Sequence, residues 1–518
     1  MSILNVENVS HGFGARKILD NVSFRLLKGE HVGLIGANGE GKTTFLDIIT
    51  GKLMPDNGKI EWCNRVTVGY LDQHAVLAKG KTIRDILREA FKSMFDLEAE
   101  MLQIYEKMAE LSDRELDKAM EDVGDIQSIL ESSGFYTLDA KIEEVANGLG
   151  LGEIGLDRDV TDLSGGQRSK VLLTKLLLQN PMILILDEPT NYLDLEHIEW
   201  LKRFLNNYEN AFVLVSHEIG FLNAAVNVIY HVENATLTRY VGDYDQFKQL
   251  HELKKQQQQN EYEKQQKEIE RLEDFIARNK ARISTTGRAK SRQKQLDKME
   301  IIEKPKEKVK PTFRFNEARL PGKIIFETEH LIIGYEEALT KPLYLKLERG
   351  KKIAIKGANG IGKSTLLKTL TGLQEPLSGQ VYLDPYLHTG YFEQESSRFN
   401  SNTAMEEIWN DFPGLSNYQV RQALAKCGLT NEHIESQMMV LSGGENAKVR
   451  LCKLMLKDVN WLLLDEPTNH LDVDAKAELK KALKEFKGTI VLVSHEPDFY
   501  EDWISEVWNA EEWTTRIV

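Results

Sequence analysis

The chain has 518 residues and a formal net charge of −14, too long for one hydrophobic core, so two or more domains of ordinary size are expected. Its three cysteines, Cys63, Cys427 and Cys452, have no CxxC spacing, which excludes a disulfide framework and a zinc cluster. The opening MSILNVENVS has no basic-then-apolar signal, and no apolar run approaches the ~18–20 residues that cross a bilayer, so the expectation is no membrane insertion and a cytoplasmic location.

The first chemical signal along the chain is GANGEGKT at 36–43, after the apolar strand pattern HVGLI and before the helical pattern FLDIIT. A G-x-x-x-x-G-K-[ST] run is a phosphate loop, because its glycines let the backbone curl until N–H groups and a helix start face the phosphates. The candidate nucleotide residues are therefore Gly36, Asn38, Gly39, Gly41, Lys42, Thr43 and Thr44. Lys42 is placed to meet the β and γ phosphates, and Thr43 to ligate Mg²⁺.

Residues 92–134 carry two helical patterns, one through Met94, Leu97, Met101, Ile104, Met108 and Leu111, the other through Leu116, Met120, Val123 and Ile126. Ser112 and Glu115 form a capping-box pattern that puts the turn near 111–113, so an antiparallel helical arm is predicted. With twelve acids and four bases, the arm would repel phosphate.

LSGGQ at 163 precedes a helical pattern, so Ser164, Gly165 and Gly166, with Gln167, offer donors at a helix start and a second anion site. The buried-strand run PMILILDE ends in Asp187, placed to hold Mg²⁺ through water, and Glu188, placed as the base that polarises attacking water. His217 closes the apolar strand AFVLV and is assigned to the γ-phosphate.

Residues 251–310 are rich in Gln, Glu and Lys, with Tyr262, Ile269, Leu272 and Ile276 on one helical stripe and Leu296 and Met299 on another. A helical hairpin is predicted, with arms of ~25–30 residues, or ~40 Å, and STTG at the turn. Its tip, 278–294, holds Arg278, Lys280, Arg282, Arg288, Lys290, Arg292 and Lys294 and no acid, so it contributes +7 to a chain whose net charge is −14. Arg278 and Arg282, Arg288 and Arg292, and Lys290 and Lys294 stack like charges at i,i+4, an arrangement that is unfavourable in isolation.

The remainder repeats what came before. GANGIGKS at 357–364 and Gln394 in GYFEQ lie 321 residues after GANGEGKT and Gln73, whereas LSGGE, LDEPTN and LVSHE recur at an offset of 278. The drop of 43 is the length of the arm, which only the first copy carries. The second set of nucleotide residues is Gly357, Asn359, Gly360, Gly362, Lys363, Ser364 and Thr365, with Ser442, Gly443, Gly444 and Glu445, then Asp465, Glu466 and His495. Ser364 and Asp465 are its Mg²⁺ candidates.

Phosphate loop, Gln loop, LSGG, DEPTN and the closing His together resemble the ATP-binding cassette ATPases, over both halves of the chain. The resemblance implies an α/β fold of two tandem cassettes with phosphate-loop NTPase cores, bounded at 1–250 and 316–518 and joined by the linker 251–315. It further implies head-to-tail pairing, each ATP held between one phosphate loop and the other LSGG, with Gln73 and Gln394 at Mg²⁺ and Phe13 and Tyr335 stacked on adenine.

Two fused cassettes, an arm before the first LSGG, a charged linker, and YVGDYDQF at 240–247 more closely resemble the ABC-F proteins, which bind ribosomes near the tRNA exit site. That likeness implies a monomeric, Mg²⁺-dependent ATPase acting in translation, its basic tip on ribosomal RNA and tRNA and its acidic arm on a basic ribosomal protein. Counterion release from RNA phosphates by Lys and Arg gives the tip a physical reason. An antibiotic-protection role within the same family, or a soluble motor subunit of a transporter, are the alternatives. Glu445 for Gln in the second signature and Tyr192 for His after the first DEPTN depart from the family pattern, yet both carboxylate pairs and both His are present, so two hydrolytic sites are expected.

Overall fold

HVGLI after its first residue and the middle of KIAIK are apolar, the composition of strands covered on both faces. In the computed structural model, which describes residues 2–13, 16–71, 80–108, 113–191, 193–279, 286–299, 310–393, 400–469 and 471–515, each becomes a strand with a parallel neighbour on either side. The first copy orders five parallel strands as Val68–Tyr70, Ile183–Asp187, Ala211–Val215, His31–Ile35 and Val228–Glu233. The second repeats that order with Thr389–Phe392, Trp461–Asp465, Thr489–Val493, Lys352–Lys356 and Glu506–Asn509. A three-stranded antiparallel sheet accompanies each, centred on Ser2–Phe13 in one copy and Ile324–Ile332 in the other. The cores are apolar: Phe24, Phe45 and Val213 share one cluster, and Phe326, Leu367 and the fully buried Trp461 another.

The strand order matters because it sends the ends of Ile183–Asp187 and Ala211–Val215, with their carboxylates and His217, towards the loop that follows His31–Ile35. The helix after each LSGG begins at a capping box, Ser164 with Gln167 and Ser442 with Glu445. The first of these helices stops at Asn180, left-handed at φ 44°, and Pro181 follows, which cannot continue a helix.

The arm forms helices Lys92–Met108 and Asp113–Ser132, packed against each other. Its capping residue Ser112 lies outside the described residues. Met120, expected on the packed face, is instead 61 % exposed. The buried line runs through Ala119, Val123, Ile126 and Leu130, one residue round the helix, because that i, i+4, i+7, i+11 series is the one 3.6 residues per turn keeps on a single face.

Two compact units are present, Met1–Arg239 with Lys310–Val518, and Tyr240–Val309. The second unit is a helical hairpin of Tyr244–Asn279 and Thr286–Asp297. Its first helix, 36 residues and ~54 Å, exceeds the expected arm length and starts before residue 251, because Asp243 accepts the Gln246 N–H at 2.9 Å and caps it early. Leu272 is buried and Tyr262, Ile269 and Ile276 half-buried, as the stripe requires. At the other end, residues 310–315 join the second cassette rather than the linker, since Phe313 and Phe315 sit in its helical core with Val420 and Leu424. Lys280 and Arg282 of the tip, and the side chain of Arg288, lie outside the described residues.

Candidate nucleotide-binding site

Each phosphate loop curls between a parallel strand and a helix. Gly41 and Gly362 stand at the helix starts with φ of 99° and 107°, a left-handed backbone that only glycine adopts without strain. Lys42 Nζ donates to the carbonyls of Gly36 at 2.8 Å and Ala37 at 3.2 Å, and Lys363 Nζ does the same with Gly357 and Ala358. Burial pulls both ammonium groups below the ordinary lysine range, while Glu188 and Glu466 oppose the shift. Thr44 and Thr365 follow in the first helical turns.

Opposite the loops stand the strand-end carboxylates. Thr43 Oγ1 donates to Asp187 Oδ2 at 3.2 Å. Asp465, nearly inaccessible, keeps two buried oxygens without a hydrogen-bond donor among the described residues. Burial raises both aspartates, which a divalent cation would reverse. Hydroxyl and carboxylate oxygens are the hard donors Mg²⁺ takes, so Thr43 with Asp187, and Ser364 with Asp465, fit that ion. Gln73, Gln394 and Tyr192 lie outside the described residues.

Glu188 and Glu466 both adopt φ 47°, uncommon for a side chain with a Cβ and costly by roughly 1–3 kcal/mol. The turn aims each carboxylate at a histidine: His217 Nε2 lies 3.4 Å from Glu188 Oε1, and His495 Nε2 lies 3.2 Å from Glu466 Oε1. The same nitrogens are 3.0 Å from Asn38 Oδ1 and Asn359 Oδ1, which ties strand end to phosphate loop in both copies. Burial, helped by the adjacent aspartate, pushes each glutamate up to about 8, and burial with Lys363 pulls His495 down to about 4.

A single cleft of about 550 Å³ draws its walls from both copies. Ser164, Gly166 and Gln167 of the first copy line it together with Asn359, Gly360, Gly362, Lys363, Ser364, Asp465, Glu466 and His495 of the second. Across the seam the Asn359 N–H donates to Asp194 Oδ1 at 3.2 Å. Across the seam, Asp472 and Lys476 of the second copy carry charges that bear on Lys42, His217 and Glu188 of the first. Tyr335 also lines the cleft and is 60 % exposed, and Phe13 is 57 % exposed, so both rings present a free face. The second signature residues Ser442, Gly443, Gly444 and Glu445 open the helix Gly443–Leu456.

Sequence reasoning passed over Asp194 and Asp472. They stand at the same offset of 278 as the DEPTN motifs that precede them, and extending the repeat by three residues would have found them.

Two family patterns, each described as ABC transporter, match residues 19–191 with 340–469, and 230–315. Among the described residues no helix is long and apolar enough to cross a membrane. The chain is 63 % identical over 518 residues to the "Uncharacterized ABC transporter ATP-binding protein YfmM" of Bacillus subtilis (strain 168), with both sequences fully covered. It is 35 % identical to "ABC transporter F family member 2" of Arabidopsis thaliana, across 97 % of this chain and 76 % of that one. A solved complex of archaeal ribosomal stalk protein aP1 and archaeal ribosome recycling factor aABCE1 shares the fold, with TM-score 0.58 and 20 % identity over 97 % of this chain and 87 % of that one. The chain thus belongs to the F family of ATP-binding cassette proteins and is an ATPase of that kind.

Proposed function

We propose that the chain is an ATP-driven clamp on the ribosome, a monomer acting in the cytoplasm whose two copies close on two ATP. In this reading the linker hairpin presents its basic end to ribosomal RNA and tRNA near the tRNA exit and peptidyl-transferase region, and the acidic arm meets a basic ribosomal protein. The observation that carries the clamp is the cleft in which Ser164 and Gln167 of one copy face Lys363 and Ser364 of the other. Lys42 and Lys363 bind the β and γ phosphates, and Ser164 and Ser442 close on the γ-phosphate from the opposite copy. Glu188 and Glu466 take the proton of the attacking water, while His217 and His495 hold the γ-phosphate side in register. Thr43 with Asp187, and Ser364 with Asp465, would hold Mg²⁺, which when bound would neutralise phosphate charge. Closure depends on the bridging γ-phosphate, so hydrolysis removes the group that joins the halves.

The ribosomal part rests on charge. Arg278 is tied to Asp274 at 3.2 Å, but Lys290 and Lys294 stand exposed on the second helix of the hairpin. A surface dense in phosphate relieves the repulsion between such neighbours and gains entropy from released counterions. The archaeal recycling factor was solved in complex with a ribosomal stalk protein; at 20 % identity it lends this chain its fold alone.

The test is sedimentation with ribosomes. In ATP, the double variant Glu188→Gln, Glu466→Gln should pellet with ribosomes far more than wild type, because it binds ATP without discharging it; equal pelleting sinks the clamp. Neutralising Arg282, Arg288, Lys290 and Arg292 should weaken pelleting and flatten its salt dependence, by roughly 0.7–0.9 in log–log slope per lost phosphate contact. Loss of ribosome-free ATP turnover in that variant would instead make the hairpin a structural strut.

A further inference from the structure

The two signature segments differ in charge at the helix start. In the first copy Gln167 N–H donates to Ser164 Oγ at 3.3 Å and Ser164 N–H donates to Gln167 Oε1 at 3.0 Å, a neutral cap. The next residue is Arg168, whose guanidinium donates to the Thr161 carbonyl at 3.2 Å. In the second copy Glu445 N–H and Ser442 N–H repeat the exchange at 3.3 and 2.9 Å, with a carboxylate in place of the amide. Asn446 stands where the first copy has Arg168, so the first helical turn passes from one positive charge to one negative charge.

Glu445 is held in place by a buried neighbour. Its Oε1 lies 3.1 Å from His433 Nε2, and both side chains are about 90 % buried, with 10 % and 12 % left exposed. The Thr430 N–H donates to His433 Nδ1 at 3.3 Å, so the ring proton sits on Nε2 and faces the carboxylate. With Nδ1 engaged by that N–H, the ring turns Nε2 towards the Glu445 carboxylate and fixes it at the helix start. At the offset of 278 the first copy has Gly155 in place of His433: the acid and its holder arrive together, in one copy only.

A helix start attracts anions through its free N–H groups and the positive end of its dipole, and a carboxylate fixed in the first turn competes for both. We infer that the second signature is the weaker phosphate clasp, so that the two ATP sites load in a fixed order: Lys363 with the first signature, then Lys42 with the second. Asp194 favours the same order, since its bond to the Asn359 N–H already joins the halves at the first-loading site, whereas Asp472 is engaged by Lys448 of its own copy at 3.0 Å. The inference rests on the reading that each ATP bridges one phosphate loop and the opposite signature.

Equilibrium dialysis of radiolabelled ATP against the full-length Glu188→Gln, Glu466→Gln chain tests it. Two ATP should bind with unequal affinity, and Lys42→Ala should abolish the weaker event while Lys363→Ala abolishes the tighter one. Adding Glu445→Gln should tighten the weaker event by roughly two- to five-fold and leave the other unchanged. A neutral amide already caps the first copy, so this variant keeps its fold. Gln167→Glu should loosen the tighter event by a similar factor. Equal affinities in the parent, or no response to Glu445→Gln, would overturn the loading order. A response to Glu445→Gln at the Lys363 site would instead overturn the cross-pairing of loops with signatures.

Discussion

Two aspartates in equivalent places, Asp194 and Asp472, do different work. Asp194 leaves the start of its own helix Leu195–Asn206 without a side-chain cap and bonds the Asn359 N–H of the other copy. Asp472 stays at home, accepting from Ala475 N–H at 2.9 Å and from Lys448 at 3.0 Å. Both follow a DEPTN motif, so the shared motif does not decide the difference; the residues packed around each aspartate do. Lys448 is close enough to capture Asp472, while Lys170, its counterpart, makes no ion pair with Asp194 among the described residues. A duplicated sequence therefore yields two sites that share chemistry and differ in how they hold the seam.

The largest expected effect asks whether the sites share chemistry. Glu188→Gln together with Glu466→Gln should lower ATP turnover by roughly 10²–10⁴-fold, read as phosphate release, while nucleotide still binds. Turnover near wild type would remove the general-base role from both copies at once.

Next comes the buried pair that sets the copies apart. Lys448→Met strands the Asp472 carboxylate and should cost about 3–5 kcal/mol in denaturant unfolding of the second copy, whereas Lys170→Met should cost less. Burial on its own would raise Asp472, but Lys448 and the Ala475 N–H outweigh it and hold the carboxyl below its usual range. Its folded state is thus favoured at neutral pH and above the ordinary carboxylate range, and that contribution fades as acid protonates the group. A Lys448→Met chain should consequently lose less stability on acidification than wild type.

Asp194→Ala should loosen ATP-driven closure by about tenfold, the worth of one hydrogen bond to a charged acceptor, in a distance measurement across the seam. Asp472→Ala should act on stability instead, and equal effects on closure would erase the distinction. The smallest effect separates the phosphate loops. An alanine at either Gly41 or Gly362 meets left-handed strain of about 1–2 kcal/mol. At Gly41 the new Cβ would also fall 2.4 Å from Ile18 Cγ2, against 3.4 Å from Leu339 Cβ at Gly362, so Gly41→Ala should lower the melting temperature further.

Much of this was legible in the letters. The repeat of GANGEGKT and LDEPTN announced two copies of one α/β fold, and the structure has two. The order of the five parallel strands was not readable from the motifs, because it depends on which strands pair across the sheet. Helical periodicity gave the hairpin stripe through Leu272 but missed the arm face by one residue at Met120, since an apolar pattern cannot say which of two neighbouring lines a partner helix will cover. Linker limits moved to Tyr240 and Val309 because a capping aspartate and two buried phenylalanines, unremarked in composition, decide where helix and core begin.

The sequence by itself determined the duplication, the cassette family, and the charge contrast between Gln167 with Arg168 and Glu445 with Asn446, since those are properties of residue type and order. Only the tertiary structure brought the first signature and the second phosphate loop into one cleft, carried Asp194 across the seam, and set His433 beside Glu445. Such facts depend on atoms far apart in the chain meeting within about 3 Å, and no local pattern encodes that distance.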